Sequence, residues 1–265
     1  MAYDIDDLLY LMARLRDPRD GCPWDLKQSY ATIAPSTLEE AYEVVDTIER
    51  DDLDHLQEEL GDLLFQVIFY SQLAREEQRF DFSQVVSDLV TKLVRRHPHV
   101  FPDGTLQSRA STTGEKSTQV KQRWEAIKQQ ERSAKGAEGL LDDVPLNLPA
   151  LSRAAKLQKR AASVGFDWPE VQGPIAKVRE ELQELEQALA DKDPQAMAEE
   201  LGDLLFAAVN ISRSLNIDPE AALRAGNRKF EQRFRHMETH SEQSLSELNL
   251  EQLEALWQEA KRGLK

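Results

Sequence analysis

At 265 residues the chain is long enough for one large domain or two of ordinary size. Its formal net charge of -15 argues against a nucleic-acid backbone or an anionic membrane as direct partner, because phosphate binding needs clustered Lys and Arg; it suits a protein that binds cations, or anions bridged by cations. A single cysteine, Cys22, excludes an intrachain disulfide, the acidic N-terminus lacks a signal peptide's basic and apolar regions, and no apolar run approaches the ~20 residues of a membrane helix, so a reducing cytoplasm is the expected compartment.

Helical periodicity runs through the chain and no strand-like alternation persists, which predicts an all-α protein. The expected helices are Asp4–Leu15, Ser36–Glu49, Asp52–Glu77, Phe82–Arg96 and Ser117–Gln130, then Leu151–Val164, Pro169–Ala190, Pro194–Leu215, Pro219–His240 and Leu250–Lys261. Ser36, Asp193-Pro194 and Asp218-Pro219 supply residues that cap or preset a first turn. Two segments read as irregular. Pro102–Lys116 is rich in Gly, Ser and Thr, and Ser133–Pro149 holds Gly136, Gly139, Pro145 and Pro149. The second is read as a linker, 133–149, between an N-terminal domain, 1–132, and a C-terminal domain, 150–265.

The octapeptide Glu-Glu-Leu-Gly-Asp-Leu-Leu-Phe stands at Glu58–Phe65 and again at Glu199–Phe206, 141 residues further on (199 − 58). An acidic triplet precedes each copy at the same distance: Glu39, Glu40 and Glu43, then Glu180, Glu181 and Glu184. The chain therefore contains one unit twice, and carboxylates are the feature both copies keep.

On a helix at ~100° per residue, Leu38, Ala41, Tyr42 and Val45 share one face and Glu40 and Glu43 lie on the opposite side. In the next helix Glu59 and Asp62 share a stripe from which Leu60, Leu63, Leu64 and Val67 point away. Residues three apart on a helix are neighbours, and a short turn makes consecutive helices antiparallel. The two acidic pairs are thus expected to face each other, with Glu181, Glu184, Glu200 and Asp203 repeating the arrangement. Four converging carboxylates repel and take up protons unless a cation sits among them, and hard oxygen ligands suit Mg²⁺ or Mn²⁺ rather than zinc. A solvated acidic face is the usual reading of one such run; matched duplication of all four positions weakens it. A di-iron carboxylate site needs Glu-x-x-His on two helices, and neither pair has a His in that slot.

Each half also carries a Lys and an Arg four apart, Lys92 and Arg96, then Lys229 and Arg233. Each then has a Trp followed by a Lys four residues on, Trp124 and Lys128, then Trp257 and Lys261. Cations beside an acidic metal site suit a metal-bound polyphosphate, and a Trp stacks on a base or on an Arg; alternatively the cations decorate helix surfaces and the Trp is core. At the 141-residue offset, Ser36 aligns with Lys177, Gln66 with Ala207 and Phe69 with Asn210. Lys177 lies four residues before Glu181, on the same face, where it can contact phosphate. With a small Ala207 and a polar Asn210, the second site reads as more open and better supplied with ligand-binding groups, although the first keeps every metal ligand. His236 and His240 are read as surface residues, and Cys22, between Gly21 and Pro23, as packed in a turn.

EExxE followed by ExxD, with Gly21-Cys22-Pro23-Trp24-Asp25, Arg95-Arg96-His97-Pro98-His99-Val100-Phe101 and Asn227-Arg228-Lys229-Phe230, resembles the bacterial two-domain MazG nucleoside triphosphate pyrophosphohydrolases over essentially the whole chain. That family is related in fold to the all-α dimeric dUTPases and the phosphoribosyl-ATP pyrophosphohydrolases. The resemblance implies two tandem MazG-like helical-bundle units, a homodimer, and Mg²⁺-dependent hydrolysis of nucleoside triphosphates to the monophosphate and pyrophosphate, with Mn²⁺ as a substitute ion. It further implies broad base tolerance, a house-cleaning or pool-regulating role, and a C-terminal unit that does most of the catalysis. On that reading Glu181, Glu184, Glu200 and Asp203 hold the metal and water attacks the α-phosphorus, with Glu180 and Glu184 both candidates for general base. Lys177, Asn210, Lys229, Arg233 and Lys261 contact the nucleotide, and Trp257 packs near the nucleoside. Glu40, Glu43, Glu59, Asp62, Lys92, Arg96 and Trp124 make up the first site, whose activity is left open. Two rivals stand beside it: a non-catalytic nucleotide-sensing or regulatory helical dimer, which has no need of eight converging carboxylates, and a narrower dUTP or phosphoribosyl-ATP hydrolase.

Overall fold

Six of the described helices begin at a residue whose side chain accepts backbone N–H groups that no helical carbonyl satisfies. Asp4 caps α1 (Ile5–Leu15), Ser29 caps α2 (Tyr30–Glu49) and Asp81 caps α4 (Phe82–Arg96). In the second half Asp193 caps α7 (Pro194–Ser214), Asp218 caps α8 (Pro219–His240) and Asn249 caps α9 (Leu250–Gly263). The helices α3 (Leu53–Glu76), α5 (Ala150–Ala162) and α6 (Gln172–Asp191) complete the set. The structure, a computed structural model, describes residues 2–109, 120, 123, 124, 127, 131 and 139–264. Among them there are nine α-helices and no strand. The chain divides into two compact units, Met1–Lys128 and Gln129–Lys265.

Two starts differ from the sequence expectation by more than one residue, and 117–130, expected to be helical, falls largely outside the described residues. Helix α2 begins at Tyr30, ahead of Pro35, rather than at Ser36. A proline inside a helix removes one backbone hydrogen bond. Tertiary contacts outweigh that loss here: Ile33 enters the core, Tyr30 stacks on Tyr70 at 6.1 Å, and the Thr37 and Tyr70 hydroxyls lie 2.7 Å apart. Helix α6 starts at Gln172 instead of Pro169.

In the first unit Met12, Ile33, Ile68, Phe69 and Leu73 form the buried cluster joining α1, α2 and α3. The α2–α3 and α6–α7 hairpins repeat even in their turns. Asp51 and Lys192 both adopt φ +56°. The next residue donates its N–H back across each turn, Asp52 to the Thr47 carbonyl at 2.9 Å and Asp193 to the Ala188 carbonyl at 3.2 Å. This six-residue closure caps the C-terminus of the first helix and reverses the chain.

The apolar stripes of the two hairpins are not covered within their own unit. Leu38, Tyr42, Leu60 and Leu64 are exposed in the first, Leu182, Leu189, Leu201 and Leu205 in the second.

A non-glycine residue at positive φ carries a steric cost that glycine does not. Lys192→Gly is therefore expected to stabilise the folded protein by about 0.5–1 kcal/mol and to raise the unfolding midpoint by roughly 2–4 °C in differential scanning fluorimetry. A lower midpoint would contradict the assigned turn.

Candidate active site

The α6–α7 hairpin sets the site. Spacings of three, four and seven residues place Lys177, Glu180, Glu181 and Glu184 along one side of α6. Glu200 approaches from α7, and carboxylate oxygens of Glu181, Glu184 and Glu200 lie within 4.8 Å of one another. Glu181 is only 4 % exposed. The α2–α3 hairpin brings Glu40, Glu43 and Glu59 together within the same distance. The fourth acid expected at each site, Asp62 or Asp203, stands outside these trios and acts on them through space.

The electrostatics follow from crowding. Burial, and then the neighbouring carboxylates, raise Glu184 and Glu200 above the ordinary carboxylate range. Glu40 and Glu59 are raised for the same reasons. The second trio has one counter-charge close by. Lys177 Nζ donates to Glu180 Oε1 at 2.8 Å and lies 2.7 Å from Glu181 Oε1, which raises the lysine's own pKa. The first trio has Ser36 at that place. Closely spaced oxygens that resist losing their protons are a donor set suited to a hard divalent cation, so the residues fit the metal expected from the sequence.

The remaining candidates fall into other groupings. Arg233, half-buried on α8, lies over the Trp257 indole at 5.8 Å, and Trp257 packs on Phe230 at 5.3 Å. The tryptophan thus rests on an arginine and a phenylalanine between α8 and α9. Lys229 and Lys261 are exposed on the same two helices. In the first unit Lys92 and Arg96 are half-buried on α4, and the Trp124 ring sits 6.1 Å from His97; Lys128 lies outside the described residues. His236 and His240 stack at 3.8 Å, and neither joins a group of three metal-ligating side chains among the described residues. Cys22 is half-buried in a turn, its N–H donating to the Leu15 carbonyl at 2.7 Å.

Sequence reasoning missed one feature. An open cavity of about 410 Å³ lies between α5, α7 and the loop Gly165–Trp168, lined among others by Gln158, Trp168, Phe206, Asn210 and Arg213. Its sequence trace is a second repeat: Gly21-Cys22-Pro23-Trp24 and Gly165-Phe166-Asp167-Trp168 share Gly-x-x-Trp 144 residues apart (165 − 21).

Residues 28–101 and 171–238 each match the MazG nucleotide pyrophosphohydrolase domain. The chain belongs to the MazG family. The nucleoside triphosphate pyrophosphohydrolase of Escherichia coli (strain K12) is 50% identical over 263 residues, 97% of either chain. The nucleoside triphosphate pyrophosphohydrolase/pyrophosphatase MazG of Thermotoga maritima is 44% identical over 261 residues, 97% of this chain and 96% of its own. As a MazG protein the chain is a nucleotide pyrophosphohydrolase, and each MazG match spans one acidic hairpin. Gln158 and the Gly165–Trp168 loop lie outside the matched stretches.

A carboxylate whose pKa is raised in the folded state keeps its proton longer than in the unfolded chain. Stability from this source is complete at low pH and is lost as pH rises through the raised values. Without divalent ions, thermal stability is expected to fall at these four glutamates as pH rises above the ordinary carboxylate value of about 4. Mg²⁺ should restore more of the midpoint at about pH 7.5 than at about pH 5, where protons compete for the same oxygens. Equal shifts at both pH values would sink the assignment of these carboxylates to a cation.

Proposed function

We propose that the C-terminal MazG domain hydrolyses nucleoside triphosphates of several bases to monophosphate and pyrophosphate with Mg²⁺, Mn²⁺ serving in its place, as a house-cleaning or pool-regulating activity. The observation that carries this reading is Glu181, buried yet held within 4.8 Å of Glu184 and Glu200 and tied to Lys177. Glu181, Glu184 and Glu200, with Asp203 alongside, would hold the ion. When bound, it supplies charge neutralisation at the triphosphate and a lowered pKa for the attacking water. Lys177 would exchange its carboxylate partners for phosphate oxygens and so release Glu181. Glu180, exposed beside Lys177, and Glu184 are the two candidates for the general base. Arg233 and Lys229 on α8 and Lys261 on α9 supply further positive charge for the leaving pyrophosphate, and Trp257 holds Arg233 in orientation.

The first hairpin keeps its trio but lacks the lysine, and Phe69, where the second domain has Asn210, is buried in the core. That difference supports the second domain as the main catalyst. The exposed leucine stripes on both hairpins support a homodimer that covers them. No helix among the described residues is long and apolar enough to cross a membrane.

Glu184→Gln and Asp203→Asn should each reduce pyrophosphate release from ATP or dTTP by more than about 100-fold, with EDTA abolishing the wild-type rate. Unchanged turnover in both would remove the C-terminal assignment, and Glu43→Gln reports on the first site in the same assay. Light scattering should give twice the chain mass of 30.2 kDa. Leu201→Asp with Leu205→Asp should return the monomer if the stripe is the interface.

A further inference from the structure

We propose that the cavity between α5, the Gly165–Trp168 loop and α7 receives the nucleobase of the substrate, and that Gln158 is the residue that reads it. The proposal deepens the catalytic reading of the C-terminal domain and rests on it for what the base is attached to.

Position comes first. Asp203 and Asn210 are seven residues apart on α7, which returns them to nearly the same side of the helix about 10 Å apart along its axis. The cavity therefore opens two turns beyond Asp203, on nearly the same side of α7. A triphosphate whose α-phosphorus sits at the acidic trio can extend its sugar and base in that direction. A volume of about 410 Å³ is in the range of small-molecule sites.

Chemistry comes next. The walls include the Trp168 and Phe206 side chains, and aromatic rings stack on any base. Gln158 is only 6 % exposed. Its Nε2 donates to the Phe206 carbonyl at 2.8 Å, and because a carbonyl only accepts, this bond fixes which end of the amide is which. Oε1 is then a buried acceptor with no hydrogen-bond partner, on a residue that lines the cavity. A buried acceptor left unpaired is costly, and the pairing edge of a base carries an N–H able to satisfy it. Arg213 closes the polar side. It donates from Nη1 to Asp167 Oδ2 at 2.9 Å and from Nη2 to Asn210 Oδ1 at 2.7 Å. This bonding ties the loop to α7 and leaves the Asn210 amide as a donor toward the ligand.

The wall is also registered to the catalytic helix. A Cβ on Gly173 would come within 2.4 Å of the Trp168 ring. Glycine at that position lets the indole seat against the first turn of α6, the helix that bears Lys177 and Glu181.

The test uses the full-length protein with Gln158→Leu, Gly173→Ala and Trp168→Ala, each checked for folding by its unfolding midpoint. Gln158→Leu should raise KM about ten-fold, the loss expected for one buried hydrogen bond, leave kcat nearly intact, and flatten differences among dATP, dCTP, dGTP and dTTP. Gly173→Ala should raise KM for all four by displacing the indole. Saturation-transfer NMR with the four deoxynucleosides, which carry no phosphate, reads the cavity independently of turnover. Signals in the wild type that fade in Gln158→Leu and Gly173→Ala support the proposal even if the wild type hydrolyses nothing, a result that would instead defeat the catalytic reading. Absence of nucleoside signals in the wild type, or unchanged KM profiles and signals in the folded variants, overturns it. Should Gln158→Leu not fold, Gly173→Ala and Trp168→Ala decide on the same criteria.

Discussion

The repulsion among carboxylates held between two helices is the constraint on which the rest of this molecule turns. Glu181 is almost fully buried beside Glu184 and Glu200, and such a cluster is tolerated only with protons or a cation among the oxygens. The hairpin enforces the approach. Its turn is closed by a left-handed residue, Asp51 or Lys192, and by the same backbone bond in both units. Lys177, one helical turn from Glu181, offsets part of the charge.

The two units show how one scaffold is steered by what surrounds identical acids. At the position of Phe69 the first unit completes an apolar core with Met12, Ile68 and Leu73. Arg16 lies over that ring at 5.4 Å and is locked to Glu76 at 2.6 and 2.8 Å. At the same register the second unit places Asn210, whose carbonyl accepts from Arg213, itself paired with Asp167. One substitution pattern thus converts a filled interior into the polar rim of a cavity. The octapeptides are identical; the shells behind them are not.

The leucine stripes left open on both hairpins carry a related lesson. A helix pair that devotes one side to carboxylates must bury its opposite side elsewhere, and within a single unit these stripes remain in solvent. A second copy of the chain offers the same surface by symmetry, which is the basis of the proposed homodimer.

The sequence by itself determined the helical class, the duplication, the family and the two acidic stripes, because periodicity and spacings of three and four residues are local properties of a helix. It also marked the second copy as different through Lys177, Ala207 and Asn210. Tertiary structure decided what depends on distant segments meeting. Core and aromatic contacts carried α2 back through Pro35 to Tyr30. The approach of α7 admitted Glu200 to the trio and left Asp203 one turn outside. Packing of α8 on α9 gave Trp257 an arginine and a phenylalanine as partners. The cavity at Gln158 was illegible beforehand because its walls come from residues dozens of positions apart, and its one unpaired oxygen exists only once Phe206 has claimed the other end of the amide.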